Sequence, residues 1–323
     1  MSIVDFKNIV GTNAGDTANM LGKFLYFSLS NILVDREKLS ELCDSMGIPY
    51  AGGNRLSLSD AFRSATGDIQ QRIVSKESGE TRIYQVYCRD NKGKSGVLSR
   101  ELVKETKNRE TNHYEKLANI SFDKNDGLFG YDNLVYDSEV DAHALCHRAE
   151  ELFELYQQCA NRKQIETICI NFLRSMEATK VSVNGHLYFV PRFHMEKADI
   201  FEDFIETLSG LNRNDTTLMA NSFYIIDDAK QREKMTEEFY SAVKKEIAEY
   251  LERADYFIKS GSQSPSVMER WALKIQALEE KKRHYEDILR RELTGLDDEF
   301  STLKFLGQEL SVRAQGLRFR KTA

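Results

Sequence analysis

From about Asp227 to Gly316 the chain is nearly free of helix breakers, and its apolar residues recur at spacings of three and four through two long segments. That spacing puts them on one face of an α-helix. The segments are separated by Lys259-Ser260-Gly261-Ser262-Gln263-Ser264-Pro265-Ser266, a turn-rich run, so they read as an antiparallel helical hairpin. The first stripe is Tyr240, Val243, Ile247, Leu251, Ala254 and Ile258. The returning stripe is Met268, Trp271, Ile275, Leu278, Lys282, Tyr285 and Leu289, with Lys282 as its one charged intruder. A polar residue in such a seam sets register or opens a place for another chain. The hairpin has too few apolar positions for an ordinary core. It is therefore expected to project from a globular body, with part of its apolar edge bare for a partner. Thr294-Gly295 breaks the pattern, and a third helix carrying Leu296, Phe300, Leu303 and Leu310 follows. Its basic tail, Arg318-Phe319-Arg320-Lys321, is expected to fray.

The rest of the chain reads as α+β. Phe24 to Leu33 is dense in aromatic and branched side chains and suits a buried strand. Asp35 then caps a helix carrying Leu39, Leu42, Cys43 and Met46, and Ser59 is placed to cap a shorter helix ending at Gly67. Period-two alternation from Ile69 to Val103 predicts antiparallel hairpins, and Leu117 to Phe122 a further strand. Helical periodicity returns from Ser138 to about Ala160 and from Lys163 to Ala178. The Asn184-Gly185 pair between β-rich runs is a strong hairpin signal. Two helices followed by a hairpin outline a winged-helix-like module. Three consecutive domains are expected: residues 1–137 β-rich, 138–226 helix-helix-hairpin, and 227–323 the helical hairpin with a further helix.

Composition excludes several classes. A formal net charge of −6 and a mixed-sign charged fraction of 30% argue against a bulk-charge nucleic-acid binder and against disorder. The five cysteines lack C-x-x-C spacing and read as buried thiols in a reducing, cytoplasmic setting. The segment Met1 to Lys7 carries no basic leader or apolar core, so no secretory signal is expected. No run approaches the ~18 consecutive apolar residues of a membrane span.

Candidate chemistry is thin. Gly93-Lys94-Ser95 ends like a phosphate-binding loop, but Cys88 stands where that loop needs its earlier glycine, and a hairpin turn is the default. His143 and His147 have metal-ligand spacing with Cys146 between them. The helical wheel puts both histidines opposite the apolar face, and two ligands are too few for zinc. His186, Arg192 and His194 bracket one strand without an evident nucleophile. Asp227-Asp228 and Asp297-Asp298 stand where helices begin and read as caps. No cofactor and no metal is expected. If the winged-helix-like module touches nucleic acid, Arg162, Lys163, Arg174, Lys180 and Arg192 are its contacts, opposed by Glu166 and Glu177.

Two stretches carry a resemblance: Asp60-Ala61-Phe62-Arg63-Ser64-Ala65-Thr66, and Gly185-His186-Leu187-Tyr188-Phe189-Val190-Pro191 with His194 after it. The chain resembles an uncharacterised family of bacterial, archaeal and phage proteins, with a β-rich first half and a helical second half, over roughly Phe24 to Leu310. The resemblance implies a prokaryotic or phage protein without an assigned reaction. The leading expectation is a non-enzymatic, oligomerising interaction protein, encoded by a phage or mobile element. It would bind itself and another protein, and block a host machine such as a defence or nucleic-acid-processing complex. The interaction residues expected are Tyr240, Val243, Ile247, Leu251, Met268, Trp271, Ile275, Leu278 and Lys282. The alternatives are a nucleic-acid-binding regulator and an enzyme of unknown class.

Overall fold

The computed structural model describes residues 11–12, 19–50, 55–77, 80–93, 95–107, 113–181, 185–214, 216–259 and 264–322. Its contacts divide the chain into two units. One comprises residues 1–29, 167–209 and 217–323, and the other comprises 30–166 and 210–216. Both are discontinuous, in place of the three consecutive domains expected from sequence.

The first unit is built on a five-stranded antiparallel sheet of order β1-β12-β2-β11-β10. Its strands are β1 (Gly11–Thr12), β2 (Met20–Ser28), β10 (Thr179–Lys180), β11 (Leu187–Pro191) and β12 (Met219–Ile226). β2 is the central strand, and side chains alternate across it. Phe24 stands in register with both Phe189 and Phe223, and its ring meets theirs. Lys23 and Phe27 face the other way. Phe27 packs on Phe201, and Lys23 pairs with Asp199, both on α5 (Met195–Leu211). Gly22 is required where β2 crosses β11: a Cβ there would lie 2.1 Å from the carbonyl oxygen of Val190. The expected wing is thus no free hairpin, because β11 is locked between β2 and β10. The Asn184 turn lies outside the described residues.

Three helices cover the Phe24 face: α6 (Ala229–Lys259), α7 (Pro265–Leu289) and α8 (Asp297–Thr322). Phe239 of α6 and Tyr285 of α7 stack at 4.3 Å, and Tyr285 meets Phe189 edge-on at 5.9 Å. Tyr285 is fully buried. Its hydroxyl accepts from Thr179 Oγ1 at 2.7 Å and donates to the Glu177 carbonyl at 3.0 Å, so burying it leaves neither group unsatisfied.

The second unit holds a five-stranded meander in sequence order, comprising β4 (Gln70–Glu77), β5 (Glu80–Asn91), β6 (Val97–Thr106), β7 (His113–Asp123) and β8 (Phe129–Asp132). It is the sheet predicted from period-two alternation. The helices α1 (Arg36–Ser45), α2 (Leu58–Gly67) and α3 (Ala142–Gln158) belong to this unit, with the short pair β3 (Leu33–Asp35) and β9 (Cys159–Asn161). Asp35 caps α1 as expected, accepting from Glu37 and Lys38 amides. The cap of α2 is Ser57, not Ser59, and that of α3 is Asp141, three residues beyond Ser138. Phe62, Phe122, Phe129 and Phe153 form its aromatic centre. The helix α4 (Arg162–Ser175) starts in this unit and ends in the other.

Candidate functional site: an apolar stripe on α8 and a cation-lined cleft

The hairpin's apolar seam is not bare. Val243, Ile247, Met268, Ile275 and Leu278 are buried, and Tyr240, Leu251 and Trp271 pack half-buried against them. The covering element is α8, whose Phe300, Leu303, Leu310 and Ala314 join the same core. Gly307 lets α8 approach: a Cβ there would meet Ile275 Cγ2 at 3.2 Å. Polar contacts pin α8 along its length. Lys282 donates to Asp297 at 2.6 Å, the Gly295 amide donates to Tyr240 Oη at 3.3 Å, and Arg313 donates to the Ile258 carbonyl at 2.9 Å. Arg318 pairs with Glu269 of α7. The tail expected to fray is helical through Thr322. The expected interaction residues therefore serve an internal three-helix core. Lys282 is a satisfied ion pair, not a vacancy in the seam.

The exposed apolar edge lies one helix further on. Phe305, Val312 and Phe319 are 66%, 69% and 75% exposed, and they recur every seven residues along α8. At ~100° per residue this row is centred about 165° away from the buried row of Phe300, Leu303, Leu310 and Ala314. One helix thus carries two apolar seams on opposite sides, with one covered. Beside the outward seam, α7 and α8 leave a groove of about 890 Å³. Ile275 and Gly307 line it, together with Leu273 and Val312; Leu273 is itself 64% exposed. Sequence reading missed Leu273 and the three outward residues of α8. The heptad spacing of those three was present, but two opposed stripes in one helix mask each other's periodicity.

A second feature in the same unit is a cleft of about 480 Å³ between the end of α4, β10, α6 and α7. Arg174, Lys180, Lys274 and Lys281 line it, with Glu177, Glu246 and Glu280. Lys281 donates to the Ala178 carbonyl at 3.0 Å, and Lys274 sits over the Trp271 ring at 4.3 Å. Burial pushes the ammonium of Lys281 below its ordinary range, and Arg174 adds to that; the same two causes lower Lys274. The carboxylates have neutral or imidazole partners. Glu246 accepts from Tyr250 at 2.7 Å, Glu280 from Gln276 at 3.1 Å, and Glu177 lies 2.8 Å from His284 Nδ1.

The remaining sequence candidates fall elsewhere. Of the five expected nucleic-acid contacts, Arg174 and Lys180 share the cleft. Arg162 and Lys163 open α4 within the other unit, and Arg192 opens a short 3-10 turn. His143 and His147 are exposed on α3, beside Tyr131 and Glu150/Glu151. Among the described residues no three His, Cys, Asp or Glu side chains cluster as a metal site. The Gly93-Lys94-Ser95 segment joins β5 to β6 and opens no helix; Lys94 lies outside the described residues. His186 stacks on Phe27, whereas His194 meets Phe193, whose ring also contacts His284. Asp228 caps α6 through the Gln231 amide, and Asp227 pairs with Arg232 and Arg290. The cysteines form no disulfide among the described residues, and burial raises Cys43 and Cys146 to about 11 and Cys88 to about 12.

A family model described as a family of unknown function, DUF6744, matches residues 20–316. The chain belongs to the DUF6744 family. No curated protein and no solved structure matches it. The matched span of this DUF6744 member runs from the start of β2 to within α8, so it takes in both units, the cleft and most of the outward stripe. Among the described residues of this DUF6744 chain, no helix is long and apolar enough to cross a membrane.

Proposed function

We propose that this chain is a non-enzymatic interaction protein that pairs with a second copy of itself through the outward stripe of α8. The oligomer then offers its surface to another protein complex. The observation that carries this reading is the second seam: Phe305, Val312 and Phe319 at heptad spacing, opposite a seam that α8 already uses internally. Phe305 and Val312, exposed to this extent, each forgo most of about 1.5–3 kcal/mol of burial. A helix apolar on two sides fits the middle of a larger bundle better than its rim.

An antiparallel pairing with a second copy suits a single apolar stripe of this kind. In an antiparallel heptad register Val312 of one copy lies across Gln308 of the other, and Phe305 across Gln315. That register is self-complementary, as a two-fold interface requires.

Light scattering across a concentration series tests the reading. The wild-type chain is expected at twice its monomer mass, and Phe305→Glu/Val312→Glu at monomer mass with unchanged helicity. A wild type that stays monomeric at every concentration overturns it. The nucleic-acid reading has one favouring observation, the shared placement of Arg174 and Lys180 in the cleft. The carboxylates of the same cleft oppose an extended polyanion.

A further inference from the structure

The cleft between α4, β10, α6 and α7 has an electrostatic arrangement that the fold does not need. Arg174, Lys274 and Lys281 line one cavity, and none of them lies within 4 Å of a carboxylate oxygen among the described residues. Arg174 donates to Asn171 at 3.3 Å, Lys274 rests on Trp271, and Lys281 reaches a backbone carbonyl. Glu177, Glu246 and Glu280 line the same cavity but make no ion pair with these three, so their charge is only partly offset there. Each of the three retains donors its neighbours do not use, since an ammonium has three and a guanidinium five. The nearby carboxylates take hydrogen bonds from Tyr250 and Gln276 and lie beside His284, not in ion pairs with these cations.

The shape adds to the charge. A volume of about 480 Å³ falls within the range of small-molecule sites. Ile170, Leu173, Ala242, Ala277 and Leu278 give the cleft an apolar wall beside its cationic one. Burial is the main cause that depresses the proton affinities of Lys274 and Lys281, with Arg174 adding to it and Glu246 opposing it at both. We propose that this cleft binds a small phosphate-bearing molecule, with Arg174 and Lys274 clasping the phosphate from the rim and Lys281 meeting it from below. The source is a free metabolite-sized ligand in preference to a nucleic-acid backbone. Glu177, Glu246 and Glu280 on the same cleft would face the flanking phosphates of a polymer and repel them.

Calorimetric titration of the full chain with inorganic pyrophosphate, against sulfate at matched ionic strength, tests this. Saturable one-to-one binding by pyrophosphate is expected. Arg174→Gln/Lys274→Gln, at two exposed positions, should weaken it at least about tenfold, whereas Lys244→Gln on the outer face of α6 leaves it unchanged. Should the double variant fail to fold, Glu246→Gln gives an opposite readout: removing a negative charge from the cleft should tighten pyrophosphate severalfold. A flat titration, or equal affinity for wild type and variants, overturns the proposal. A labelled single-stranded DNA that binds more tightly than pyrophosphate, and is lost with the same substitutions, also overturns it, in favour of the polymer.

Discussion

Lys282 of α7 and Asp297 of α8 are joined by a 2.6 Å hydrogen bond, so the charged residue inside the hairpin's apolar stripe meets its counter-charge within the same chain. Burial works against the Lys282 ammonium. The bond to Asp297, with Glu286 beside it, outweighs that and raises its proton affinity. The sign follows: stability from this group is intact below the ordinary lysine range and is lost only as pH climbs through the raised value. Lys282→Met keeps the stem that packs near Phe300 and is expected to cost no more than about 1 kcal/mol in urea unfolding. Its oligomeric mass should equal that of wild type, because the seam it occupies is internal.

Tyr285→Phe removes one hydroxyl and strands two buried partners, Thr179 Oγ1 and the Glu177 carbonyl. A loss of about 1–3 kcal/mol is expected in denaturant unfolding, with no change of mass.

Gly22→Ala forces a Cβ to 2.1 Å from a backbone oxygen at the centre of the sheet, and no side-chain rotation relieves it. A destabilisation of about 2 kcal/mol or more is expected, measured as a lowered thermal midpoint. The same change at Gly316, which has open space around it, should be neutral or stabilising.

In the second unit, Lys104 lies 2.8 Å from Asp137 and 3.0 Å from Glu139, all three largely shielded from water, with the Tyr84 ring beneath the ammonium. Burial opposes the Asp137 carboxylate, but the Lys104 bond and two backbone amides hold it below its ordinary value. Glu139 is lowered by Ser75 and then by Lys104. Both carboxylates are depressed in the fold, so their stabilisation is present above about pH 4–4.5 and disappears as pH falls further. Acid titration by circular dichroism should show that loss. Lys104→Met should lower the denaturation midpoint at pH 7, because it removes the cation that both carboxylates face.

What the sequence revealed follows from the range of the interactions. The meander of β4 to β8 was legible because neighbouring strands pair in chain order and each alternates inward and outward residues. The stripes of α6 and α7 were legible because helical periodicity is local. The β2 pairing was not: Phe24 meets Phe189 and Phe223, more than 160 residues away, and no local pattern encodes that choice of partner. The same distance hid the cleft, since Arg174, Lys274 and Lys281 come together only through tertiary folding. The role of α8 was misjudged for another reason. Its inward and outward rows blur each other's periodicity, so the sequence pattern shows a third helix but not that it closes the hairpin.

Distance measurement between spin labels tests the α8 pairing most directly. With Gln308→Cys labelled in every copy, antiparallel pairing predicts an intermolecular distance of about 20 Å, an interaxial spacing of 8–10 Å extended by two label arms. Phe305→Glu/Val312→Glu should abolish it, and a label at Lys244→Cys on α6 should report only longer separations. A wild-type signal with no intermolecular component at Gln308, or one that survives the stripe substitutions, would contradict self-association through this face.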